Sequence, residues 1–130
     1  MNNVGLSGSL KLLLVLHFLT GLVLGLGLLF ARTTLGDILG VNFTDPGWLF
    51  VGASYLGLGA GSLFALKSGS WQGTAVLVKA EIVFLISVLI GLVIWHFSTG
   101  LPPMIQLLGI LGVVFLVWFT AEYKVHCKKT

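Results

Sequence analysis

Four long apolar runs divide the chain: Leu12 to Ala31, Trp48 to Leu66, Thr74 to Phe97 and Met104 to about Ala121. Each is close to the ~20 residues a helix needs to cross a bilayer core. The segments between them are short and polar. Thr33 to Gly47 contains Asp37, Asn42, Asp45 and Pro46, and its middle, Leu35 to Leu39, predicts a short interfacial helix capped by Thr34. Lys67 to Gly73 reads as a tight polar turn, and Ser98 to Pro103 as an uncharged one whose prolines suit the start of the fourth span. Short connections favour antiparallel neighbours. The pattern predicts an all-α integral membrane bundle of four transmembrane helices, up-down-up-down, forming a single domain over residues 1–130.

Small residues interrupt these runs in a regular way. Ala53, Gly57, Gly61 and Ala65 recur at every fourth position of the second span, and Gly21 and Gly25 do so in the first. In water each interior glycine would cost a helix ~1 kcal/mol relative to alanine. In a bilayer the backbone must satisfy its own hydrogen bonds, which enforces the helix, and small side chains then admit a neighbouring backbone. The stripe from Ala53 to Ala65 is therefore expected to be the packing surface for another transmembrane helix, with Gly21 and Gly25 as a second.

Composition agrees. Apolar residues make up 57% of the chain and charged residues 8%, against roughly 25% charged in a soluble domain. The net charge of +3 implies no nucleic-acid partner, because the basic residues sit at the ends of apolar runs. They are unevenly distributed. Lys11, Lys67, Lys79, Lys124, Lys128 and Lys129 share one side of the four-span arrangement, and Arg32 alone lies on the other. That bias predicts both termini in the cytoplasm, with Trp48 and Trp95 at outer span ends and Trp71 and Trp118 at inner ones. The single cysteine, Cys127, excludes an intrachain disulfide and a cysteine-based metal cluster, and no cleavable signal is read in the first span.

Candidate chemistry is sparse. Lys79 and Glu81 lie inside the third span, about 200° apart around the helix, so they cannot share a face. Lys79 is expected to snorkel to the headgroups. Glu81, about 10 Å in, falls at a depth similar to that of His17 on the first span. Thr20, Ser62 and Thr120 bracket the same level, so the intramembrane polar cluster is expected to comprise His17, Thr20, Ser62 and Glu81. One reading makes it an interhelical hydrogen-bond set. A second makes His17 and Glu81 a proton-relay or cation-coupled site, and a third leaves both exposed to headgroups. His17 and His96 raise a haem or chlorophyll ligand, although they lie near opposite faces and cannot clamp one haem. His96 beside Trp95 reads as interfacial, and His126 as solvated. Arg32, Asp37, Asp45, His96, Gln106 and Tyr55 are candidates to line an outer vestibule, with Arg32 pairing an acid of the first loop. No nucleophile with a base, carboxylate pair, phosphate loop or two-metal set is present, so a non-catalytic protein with no bound metal is expected.

The stretch from Gly21 to Phe30 ending at Arg32, and the stretch from Gly57 to Lys67 followed by a polar turn, resemble the small four-span DoxX-like membrane proteins. That resemblance implies a helical bundle occasionally associated with respiratory or redox complexes. The functional expectation is an accessory or interaction subunit packing against other membrane subunits in a bacterial inner membrane. The alternatives are a small proton- or cation-coupled transporter acting as a homo-oligomer and a haem- or pigment-holding subunit.

Overall fold

The computed structural model describes residues 4–128, so Lys129 of the orientation count lies outside the described residues. The elements are α1 (Gly8–Phe30), α2 (Arg32–Leu39), α3 (Gly47–Ser68), α4 (Trp71–Thr99) and α5 (Pro103–Cys127). α1, α3, α4 and α5 are each long and apolar enough to span a membrane. The chain is an all-α, multi-pass membrane bundle.

Local chemistry sets the ends of these helices. α1 begins four residues before the apolar run because the Ser7 hydroxyl accepts from Leu10 N–H at 3.0 Å. Ser70 caps α4 in the same way, accepting from Gly73 N–H at 3.3 Å, and Asp45 Oδ1 accepts from Gly47 N–H at 2.6 Å where α3 starts. Gly40 and Gly69 close α2 and α3 with φ of +70° and +64°, the left-handed geometry that glycine tolerates. One expectation fails at a helix end: Thr34 does not cap α2, which starts at Arg32 directly after Ala31 and has no side-chain cap. α5 runs past the fourth apolar run to Cys127, and its extra turns bury Glu122 and His126.

α1 and α3 run antiparallel and pack along their whole length, with buried residues from Leu10 to Leu28 on one and from Gly52 to Ala65 on the other. Glycine makes this approach possible. A Cβ at Gly21 would lie 2.7 Å from the Tyr55 carbonyl oxygen and 3.0 Å from Gly59 Cα. Gly25 is filled by the Leu56 side chain and sits against the Gly52 carbonyl. The α3 residues involved are not those of the four-residue stripe. Ala53 and Gly57 are exposed, and nothing lies within 4 Å of a Cβ built on Gly57. Gly61 meets Leu77 of α4, and only Ala65 is buried. The face that meets α1 is the adjacent one, Gly52, Gly59 and Ser62, because these positions align with the glycines of α1.

The two halves of the bundle differ. In α4 every buried residue falls between Trp71 and Leu85, and α5 buries nothing between Ile105 and Phe115. At the Lys-rich end the four spans close around Leu10, Leu13, Leu14, Val78 and Phe119, each fully buried. Val4 and Leu6 add backbone bonds to Trp71 and Gly69, tying the N-terminal segment to the α3–α4 turn. Toward the Arg32 end α4 and α5 bury little, and a cavity opens between the spans. A smaller cluster of Leu28, Leu39, Phe43 and Ile105 holds that end, with the Trp48 and Trp95 rings 6.5 Å apart.

Candidate functional site

All four spans meet at His17. Its Nδ1 lies 3.1 Å from the Ser62 hydroxyl of α3, and its Nε2 lies 3.2 Å from Glu81 Oε2 of α4. Phe115 and Phe119 of α5 present their rings edge-on, with centroids 5.5 and 5.4 Å from the imidazole. Glu81 is 0% and His17 6% exposed, which removes the reading that both face headgroups. The Nε2–Oε2 contact is short enough for a charge interaction but misaligned for a hydrogen bond, so both Glu81 oxygens lack one. A small rotation of the imidazole would align the pair.

This arrangement is expensive as architecture alone. A buried acid–base pair must offset the desolvation of both groups, whereas an interhelical hydrogen bond in a membrane averages ~0.6 kcal/mol. An acid and an imidazole in contact can share one proton, either as carboxylic acid and imidazole or as carboxylate and imidazolium. Moving it between them needs no rearrangement of the backbone. Ser62 fixes the ring through its other nitrogen, as an orienting partner does for a histidine base.

Of the other expected members, Thr20 and Thr120 turn their hydroxyls back to the Leu16 and Leu116 carbonyls of their own helices. Neither joins the cluster, because a threonine in a helix satisfies itself at i−4. Lys79 is exposed, with Nζ 5.7 Å above the Tyr123 ring. His96 is exposed beside Phe97. Both His17 nitrogens are engaged, so a haem or chlorophyll there would have to displace Ser62 or Glu81. Among the described residues no group of three His, Cys, Asp or Glu side chains gathers as a metal site.

The outer vestibule does not form as a unit. Arg32 and Asp37 line a cleft of about 550 Å³ around α2, but Arg32 makes no ion pair among the described residues. Asp45 is spent on the α3 cap, Gln106 donates to the Leu101 carbonyl, and Tyr55 lies elsewhere, between the spans.

A second acid–histidine cluster, at the Lys-rich end, was not anticipated. Glu122 Oε2 accepts from the Ser7 hydroxyl at 2.7 Å, and His126 Nδ1 lies 2.9 Å from the Glu122 carbonyl oxygen and 3.6 Å from its carboxylate. His126 is 1% exposed and stacks on Trp71 at 4.7 Å, so it is not solvated as expected. The signal was present as Glu122 and His126 at i and i+4, one face of a helix continuing past the apolar run. Between the two clusters lies the apolar layer of Leu10, Leu13, Leu14, Val78 and Phe119, all fully buried.

No family model, curated protein or solved structure matches the chain.

Proposed function

We propose that the protein is a small proton-coupled membrane carrier that takes up and releases protons at the His17–Glu81 pair. The observation that carries this reading is Glu81 itself, fully buried and in contact with His17 at 3.2 Å. Ionisable residues inside spans are rare and costly, and they mark proton relays and substrate paths. The asymmetry of the bundle supports the same reading. A fully buried apolar layer separates the site from the Lys-rich end, and the cavity toward the Arg32 end leaves space above it. We further propose that the Lys-rich end faces the cytoplasm of a bacterial inner membrane and that the carrier works as a homo-oligomer, since four spans enclose little by themselves.

The test is reconstitution of wild type and Glu81→Gln into liposomes with an internal pH dye and an imposed gradient. A proton flux in wild type that Glu81→Gln loses while eluting as the same oligomer is the expected result. Equal flux from both proteins sinks the reading.

A second reading, an accessory subunit of a larger membrane complex of the kind the DoxX-like resemblance implies, is favoured by the open face of α3 at Ala53 and Gly57. Small residues left uncovered there suit a partner helix. A tagged chain in mild detergent would bring that partner down, and Gly57→Leu would release it without unfolding the bundle.

A further inference from the structure

The half of the bundle toward Arg32 holds a partly open cavity of about 400 Å³ between α1, α3, α4 and α5, with α2 at one wall. It is within the 300–1,000 Å³ range of small-molecule sites. Sixteen residues line it and none is charged. Phe43, Trp48, Tyr55, Phe84 and Trp95 supply aromatic surface. A smaller space of about 50 Å³, lined by His17 and Thr20, adjoins it, and Tyr55, Phe84 and Val88 line both. Tyr55 therefore stands at the neck between the cavity and the proton site.

The polar groups of this lining are biased in kind. Ser54 is satisfied by the Phe50 carbonyl at 2.8 Å. Tyr55 packs edge-on against Phe84, with centroids 5.9 Å apart, and its hydroxyl makes no hydrogen bond among the described residues. A phenol held in the hydrocarbon region without a partner forfeits a hydrogen bond that a ligand can restore. The remaining polar side chains, the indoles of Trp48 and Trp95, are donors only, so three side chains of the lining can donate and the Tyr55 hydroxyl alone can also accept without giving up a bond. Such a lining repels ions, holds an apolar body, and offers hydrogen bonds to an acceptor.

We propose that this cavity binds an uncharged apolar molecule carrying a hydrogen-bond-accepting oxygen of the carbonyl type, with that oxygen on the Tyr55 hydroxyl. The molecule reaches the cavity from the bilayer, where α4 has no buried residue beyond Leu85 and exposes Gly91 at the cavity wall. It would be the carrier's substrate, and the assignment rests on the proton-coupled reading only for that coupling; binding itself does not require it.

The experiment is native mass spectrometry of the full chain in mild detergent, titrated with four probes. These are a long-chain methyl ketone, the matched alkane, the matched fatty acid and a diacyl phospholipid. Wild type is expected to take up one equivalent of ketone and to bind alkane, acid and phospholipid more weakly. Tyr55→Phe should weaken the ketone by about three- to tenfold, the worth of one hydrogen bond, and leave the alkane unchanged. Val88→Trp should abolish saturable ketone binding by filling the neck. Should that variant fail to fold, Gly91→Leu serves in its place, because nothing lies within 4 Å of a Cβ there. Alkane or phospholipid bound as tightly as ketone, or Tyr55→Phe binding ketone as wild type does, means that the cavity is filled by bilayer chains alone and overturns the proposal. Glu81→Gln is expected to bind ketone normally, so loss of flux and loss of binding separate the failure of one reading from that of the other.

Discussion

Replacing Gly21 by alanine adds one methyl group, and the geometry of the α1–α3 contact makes its cost calculable. The new Cβ would lie 2.7 Å from the Tyr55 carbonyl oxygen, 3.0 Å from Gly59 Cα and 3.2 Å from Gly59 N. All three are backbone atoms, so no side chain can rotate away. Restoring ordinary contact requires α1 and α3 to separate by about 0.5–1 Å at their closest point, and overpacking of this kind costs about 1–3 kcal/mol. The separation propagates one turn to His17 and Ser62, whose 3.1 Å contact would stretch beyond hydrogen-bond range. Gly57→Ala is the control: the same added methyl inside a span, but on the exposed face of α3, with open space at the new Cβ. Thermal unfolding of the purified proteins in one detergent should show Gly21→Ala losing several degrees and Gly57→Ala losing nothing. If the two variants melt together, the contact between α1 and α3 is not the backbone approach described above.

Other outcomes follow from the same geometry. Glu81→Leu should destabilise the bundle more than Glu81→Gln, by about 1–3 kcal/mol, because it leaves the His17 imidazole buried without its partner; unfolding midpoints compare them. Ser7→Ala removes both the α1 cap and the 2.7 Å bond to Glu122, and should cost about 1–3 kcal/mol in the same assay, whereas Ser9→Ala should cost less. Trp71→Ala should release His126 from its stack, detected as faster hydrogen exchange in the last two turns of α5 with little change in α3. With Cys127 replaced, cysteines introduced at Asp37 and Ser70 should react differently with an impermeant thiol reagent on intact cells. Labelling at 70 and not at 37 reverses the proposed orientation.

The sequence determined the class of this molecule and little of its interior. Span number and approximate length follow from apolar runs against bilayer thickness, and Lys and Trp at run ends locate the two interfaces. The depth match of His17 and Glu81 was also readable, since helix rise converts residue count into depth. Which face of each helix turns inward was not. In water the buried face is the apolar one, but lipid tails and a membrane core are equally apolar, so a span carries no stripe that separates them. The stripe at Ala53, Gly57, Gly61 and Ala65 and the neighbouring positions Gly52 and Gly59 were therefore equivalent candidates, and only the alignment with Gly21 and Gly25 chose the second. The same ambiguity hid the Glu122–His126 cluster, whose burial depends on Ser7 and Trp71 arriving from distant parts of the chain. The cavity at Tyr55 is lined from all five helices, an arrangement that no local pattern encodes.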